Sequence, residues 1–177
     1  MENKRLQAYL EAGGTYLNYR WKYYKQTLFY GITIFLLAVL ALISGIFIIL
    51  EDLLPGIILL LISIFCLVIG SLFFRSFIQA KRAYNYVKDL KKQEDKQTLL
   101  QQLDSETISN LYDQQVAFFS LCALIDLQEK DLIPLLKIML EEANETNRKK
   151  TMLQESFSVL AYFEGYETST DFLEDYE

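Results

Sequence analysis

Residues 26–74 read QTLFYGITIFLLAVLALISGIFIIL, then Glu51-Asp52, then LLPGIILLLISIFCLVIGSLFF. The run before the two acids holds 25 residues without a charge, and the run after them holds 22. An α-helix rises about 1.5 Å per residue, so about 20 residues cover the ~30 Å of hydrocarbon in a bilayer. Both runs reach that length. A link of only two acids forces the second helix to run back beside the first. Pro55 falls in the opening turn of that second helix, where a missing N–H costs little. The expected fold is an all-α membrane protein built on a two-helix transmembrane hairpin over 26–74, with spans at about 26–50 and 53–74. The first run starts too late and is too long for a secretory signal, and it lacks a small-residue cleavage site.

Charge places the rest of the chain around this hairpin. Residues 1–25 carry five basic and two acidic side chains, and residues 75–103 carry seven basic and three acidic. Arg20, Lys22 and Lys25 precede the first span; Arg75, Lys81, Arg82, Lys88, Lys91 and Lys92 follow the second. Because basic flanks stay on the cytoplasmic side, both flanking segments are expected there, with the acidic turn opposite, as in a multi-pass protein of the cell membrane. Trp21, Tyr23, Tyr24, Phe29 and Tyr30 come level with Phe73, Phe74 and Phe77, as an interfacial aromatic belt would. The nine cations form a collar suited to anionic lipid head groups. Residues 1–25 thus make an N-terminal helix and collar, and 75–96 a basic juxtamembrane helix. Residues 104–177 carry sixteen acidic side chains against five basic ones. That surplus repels phosphate and argues against nucleic acid as a partner.

Within the spans, Ala38, Ala41 and Gly45 share a spacing of i, i+3, i+7 with Ser63, Cys66 and Gly70. Small residues let helix backbones approach closely in lipid. Folding the chain about residues 52–53 sets Ala41 near Ser63 and Ala38 near Cys66, so these six are expected to pack the hairpin, with a contact to a second membrane subunit as the other use of such faces. No ionisable group lies within either span, whereas ion pathways generally use one.

Several chemistries drop out on composition. The chain has no histidine, and its two cysteines, Cys66 and Cys122, lie too far apart for a CxxC pair. Gly13-Gly14 has no phosphate-loop context. Of the tail's carboxylates, Asp113, Asp126 and Asp131 sit at expected helix ends with no evident partner for paired acid–base work. No catalytic residue, cofactor or metal ligand is assigned.

Residues 97–177 read as an acidic helical domain. Leu99, Leu100 and Leu103 close one segment; the uncharged residues 114–125 are too few to cross a bilayer and suit a central buried helix. Leu132, Leu135, Leu136, Met139 and Leu140 follow at helical spacing, with Asp131 as a cap and Pro134 in the first turn. Met152, Phe157, Leu160 and Phe163 define a further helix that Gly165 should stop, and Phe172-Leu173 a last short one. A shift of 36 residues lays Leu99, Leu100 and Leu103 on Leu135, Leu136 and Met139, and Ala117, Leu121, Leu124 and Leu127 on Leu153, Phe157, Leu160 and Phe163. One further residue brings Leu135-Leu136 onto Phe172-Leu173. The stretch LCALIDL at 121–127, followed by LIPLL at 132–136, resembles a HEAT-type helical repeat. The family's Asp after its first helix is approximated by Glu141-Glu142, and its Arg entering the second by Arg148-Lys149. The resemblance implies an α-solenoid that binds another protein along an exposed helical face, with two repeats needing a cap from the collar helix, a partner or a second copy. Acidic clusters at Glu141, Glu142, Glu145 and at 171–177 would suit a basic partner.

These readings converge on a non-enzymatic, membrane-anchored interaction module: an adaptor, regulatory or accessory subunit. Its expected partners are membrane lipids and a membrane or cytoplasmic protein, a second copy included. The alternative by architecture is an immunity protein against a pore-forming toxin or bacteriocin, in which the spans would carry the function.

Overall fold

A computed structural model of the chain describes residues 4–103, 106, 108–129, 132–142, 147–166 and 169–174, excluding the side chains of Thr27, Glu51, Glu141, Glu142, Asn147, Arg148, Lys149 and Leu173. Among these residues the fold is all-helical: α1 Lys4–Glu11, α2 Tyr16–Glu51, α3 Leu53–Lys92, α4 Lys96–Gln101, α5 Leu111–Asp126, α6 Leu132–Glu142, α7 Asn147–Phe163 and α8 Ser169–Glu174. The expected cap Asp131, the acidic side chains of Glu141, Glu142 and Glu145, the Arg148-Lys149 pair and residues 175–177 lie outside the described set. Two compact units emerge. One is Trp21–Arg82; the other joins the N-terminal portion up to Arg20 with the chain from Ala83 onward.

In the first unit α2 and α3 run antiparallel, joined through Asp52. With 36 and 40 residues, they are about 54 and 60 Å long, well beyond one hydrocarbon thickness. Both continue as unbroken helix past the charge-free runs. The packing register is visible at the glycines. A Cβ on Gly31 would stand 3.1 Å from Phe73 Cβ, one on Gly45 3.0 Å from a Leu60 methyl, and one on Gly70 3.3 Å from Phe35 Cβ. Gly56 lies tightest, its hypothetical Cβ 2.7 Å from the Ile49 nitrogen and 2.8 Å from its Cα. These pairs are arranged about the acidic link, and Trp21 stacks on Phe77 with ring centroids 5.6 Å apart at the open end.

The second unit is a helical bundle around α5. From Gln115 to Ile125 every residue of α5 is buried except the half-buried Phe118. Phe119, Leu121, Leu124 and Ile125 join Leu99, Leu132, Leu136, Leu153, Phe157 and Phe172 in its core, together with Leu6, Tyr16 and Leu17 from the N-terminal helices. Helix α5 packs on α4 and α7, and α7 on α6 and α8. The C-terminal part of α3 also joins this core, where Tyr84 meets Phe119 edge-on at 5.7 Å.

Local chemistry sets the helix ends. Asn110 caps α5 by accepting from the Tyr112 and Asp113 amides at 2.8 and 3.1 Å, and Asp95 caps α4 by accepting from the Thr98 amide at 3.1 Å. Among the described residues four helices end alike, with one residue in the left-handed region: Gly13 after α1, Glu94 after α3, Gln128 after α5 and Gly165 after α7. In each case the next amide reaches back to a carbonyl five residues earlier, as Tyr166 does to Ala161 at 2.9 Å, which satisfies carbonyls the helix leaves open. The helices also recur in position. The starts of α4 and α5, moved along by 36 residues, fall on the starts of α6 and α7. The buried residues Ala117, Ser120, Leu121 and Leu124 fall on the buried Leu153, Ser156, Phe157 and Leu160.

Candidate functional site

Two features stand out, one in each unit. In the hairpin unit the apolar side chains point outward. Leu50 and Leu54 are 81% and 71% exposed, and Leu37, Leu40, Phe47, Leu61 and Phe65 are exposed with them. In the most apolar 18-residue window of each long helix, only 11% is buried. A core helix of a soluble protein covers such residues, and a soluble monomer rarely shows contiguous apolar patches above a few hundred Å². Both helices are long and apolar enough to cross a membrane.

The inward face is made of small residues. Among the described side chains of residues 21–79 the buried positions are Gly31, Ala38 and Gly45 on α2, and Gly56, Ser63 and Gly70 on α3. Both sets repeat every seven residues. A strict seven-residue spacing keeps one seam facing a partner helix that winds around it in a left-handed sense. Ser63 satisfies its hydroxyl locally by donating to the Leu59 carbonyl at 2.7 Å. Of the six expected packing residues, Ala38, Gly45, Ser63 and Gly70 lie in this seam, while Ala41 and Cys66 are half-buried beside it. Gly31 and Gly56 were missed. Extending the Ala38–Gly45 and Ser63–Gly70 spacing by one heptad toward the N-terminus of each helix would have found both.

The nine collar cations divide by environment. Arg20 and Lys91 are drawn into the helical bundle. Arg20 donates through Nε and Nη2 to the Tyr16 hydroxyl, both at 3.0 Å, pairs with Glu155 of α7, and lies 5.7 Å from the centroid of the Phe118 ring. Lys91 Nζ donates to Asp126 Oδ2 at 2.6 Å. Lys88 lies over the Tyr84 ring, and Lys92 is 3.8 Å from Asp89. Lys22, Lys25, Arg75, Lys81 and Arg82 belong to the hairpin unit and are exposed there, with Lys25 over the Trp21 ring at 5.7 Å.

The second feature is the buried polar cluster that these two cations enter. Asp126, the last residue of α5, has a side chain only 2% exposed. It accepts from the Tyr16 and Leu17 amides at 2.7 and 3.2 Å, so it caps the N-terminus of α2 from 110 residues away while pairing with Lys91 near the end of α3. Nearby, Lys96 meets Glu129 at 2.7 Å. Burial pushes the Glu155 carboxyl above the ordinary carboxylate range, and the Arg20 charge pulls it part of the way back. Burial likewise raises the Cys122 thiol, which therefore stays neutral and a poor nucleophile.

The chemical reach of this cluster is narrow. Asp113 sits at the start of α5, bonded to Ser109 through both its amide and its hydroxyl at 3.1 and 2.6 Å. Asp126 is at the other end of the same helix, about 20 Å along the axis. These two carboxylates do not share a cleft. Among the described residues, no group of three or more Cys, Asp or Glu side chains is placed to hold a metal ion. The contacts of Asp126, Arg20 and Glu155 bind helix to helix.

No protein-family model matches the chain, and neither a curated protein nor a solved structure does so.

Proposed function

We propose that the protein is a non-enzymatic, membrane-anchored interaction module, its hairpin embedded in the cell membrane and its helical bundle held at the cytoplasmic face. The observation that carries this reading is the inversion of the hairpin: among the described residues only Gly, Ala and Ser are buried between the helices, and Leu, Ile and Phe cover the outside. In water that surface would drive aggregation; in hydrocarbon it is solvated. The orientation follows from the cations at the open end and the two acids at the turn.

The bundle's role as a binding scaffold draws on the 36-residue recurrence of helix starts and buried positions, which suits stacked helical pairs of the HEAT type. Such stacks need their ends covered. Here the N-terminal helices and the end of α3 lie against α5 through Asp126 and Tyr84, Arg20 of α2 also reaches Glu155 of α7, and α8 packs on α7. The helix faces that these contacts do not cover are then left for a partner protein.

Flotation and alkaline extraction test the anchor. The full chain should float with vesicles and resist carbonate, and tags on either flank should be inaccessible from outside intact cells. Recovery in the soluble fraction, or outside labelling, would sink the reading. Proximity labelling from the full chain in native membranes tests the scaffold, since a chain cut at residue 96 would lack Asp126 and Glu155. A defined protein enriched over an unrelated two-helix anchor is expected; enrichment of none would remove the adaptor role.

A further inference from the structure

The structure separates cations that hold the bundle together from cations exposed at the hairpin's open end, and we propose that four of the latter, Lys25, Arg75, Lys81 and Arg82, form a set that binds the head groups of anionic phospholipids. This assignment rests on the membrane reading above and narrows the collar to a defined subset.

Three observations carry it. First, the four are exposed, and among the described residues Arg75, Lys81 and Arg82 meet no carboxylate. Arg20 and Lys91 each hold one. Second, the only acids between Trp21 and Arg82 are Glu51 and Asp52, at the far end of the helices. Arg75 is 23 residues along α3 from Asp52, about 35 Å at 1.5 Å per residue, and a charge at that distance is screened over a Debye length of about 8 Å. The unit therefore supplies the set with no counter-charge of its own. Third, the set is interleaved with aromatics. Arg75 directly follows Phe73-Phe74, which the hairpin register sets near Phe29 and Tyr30, and Lys81-Arg82 come roughly 9–10 Å further out along the helix. Lys25 rests on Trp21, and Trp21 stacks on Phe77. Aromatic rings level with the acyl boundary and cations one to two turns beyond it match the order of glycerol backbone and phosphate in a lipid leaflet. A soluble acidic segment would satisfy the charges but has no use for the rings.

The chain's single tryptophan provides the probe, because Trp21 lies within the set. The full chain is reconstituted into phosphatidylcholine vesicles, and Trp21 fluorescence is quenched with brominated phosphatidylglycerol or brominated phosphatidylcholine. Stronger quenching by the anionic lipid, weakened by added salt, is the expected result. With about 1 kcal/mol for each basic residue near a surface, combining Arg75→Gln, Lys81→Gln and Arg82→Gln should cut that preference by roughly a hundredfold. Flotation with phosphatidylcholine vesicles and unchanged helix content show that the triple variant has folded. Equal quenching by both lipids in the native chain, or a preference that survives the triple substitution, overturns the proposal while the membrane reading stands. If the native chain does not float with the phosphatidylcholine vesicles, the membrane reading itself has failed. Displacement of the anionic lipid by a soluble polyglutamate peptide would transfer the site to an acidic protein segment and overturn the lipid assignment.

Discussion

At the scale of single residues, the left-handed helix ends give the clearest energetic statement. Gly165 has φ of +84° with open space around its absent Cβ, and Gln128 takes φ of +52° at the matching end of α5. A side chain in that region costs about 1 kcal/mol or somewhat more. Gly165→Ala is expected to lower stability by about 1 kcal/mol, since strain and not a clash opposes it. Gln128→Gly is expected to raise it by about 0.5 kcal/mol, the unfolded chain's extra freedom taking back part of the gain. Denaturant titration in detergent checks both signs. Glu155 supplies the pH prediction. Its carboxyl is raised by burial, so folding favours the protonated form. That contribution is complete below the ordinary carboxylate pKa, about 4.3, and is lost as pH climbs through the raised value. Glu155→Gln should match the native protein near pH 4 and become the more stable of the two toward pH 7. Melting temperatures across that range test it; a native protein that stays the more stable at pH 7 would mean that the Arg20 pair outweighs burial.

At the scale of the element, the hairpin is governed by a seven-residue seam. Ser63 is fully buried in it while Ala41 sits half-buried at its edge, so leucine should be tolerated unequally. Ser63→Leu is expected to cost about 1–3 kcal/mol through overpacking, and Ala41→Leu less. The glycines grade in the same manner. Gly70→Ala meets a Phe35 side chain at 3.3 Å that can yield slightly, whereas Gly56→Ala meets the Ile49 backbone at 2.7 Å, which cannot. Gly56→Ala should therefore disturb the hairpin much more than Gly70→Ala. Thermal unfolding followed by Trp21 emission ranks all four, and equal melting points would remove the seam. A heptad persisting over three positions on each helix also explains why the small residues recur every seven and not at every helical turn.

At the scale of the molecule, one carboxylate governs the bundle. Asp126 holds the beginning of α2 and the end of α3 at once, and Arg20–Glu155 ties α2 to α7. Removing Asp126 leaves two helix amides and the Lys91 ammonium without their acceptor. Asp126→Ala is therefore expected to cost about 3 kcal/mol, the scale for breaking a buried pair from one side. Asp113→Ala, at the exposed end of the same helix, should cost far less. Chemical denaturation of the full chain distinguishes them, and comparable losses would refute the central place given to Asp126.

Much of the architecture was legible in the order of residues. Two charge-free runs of hydrocarbon length and a two-acid link dictate two long antiparallel helices, because length, hydropathy and helix geometry are local properties. Gly165 as a helix stop and residues 114–125 as a central helix follow from equally local rules. The tertiary structure decided which cations face outward. Arg20 and Lys91 look like collar residues in the sequence, yet each is claimed by a carboxylate 135 or 35 residues away. It also added Gly31 and Gly56 to the seam and set Ala41 and Cys66, half-buried, at its edge. A helix offers several faces bearing small residues, and only the partner helix, by where its side chains leave room, selects one of them.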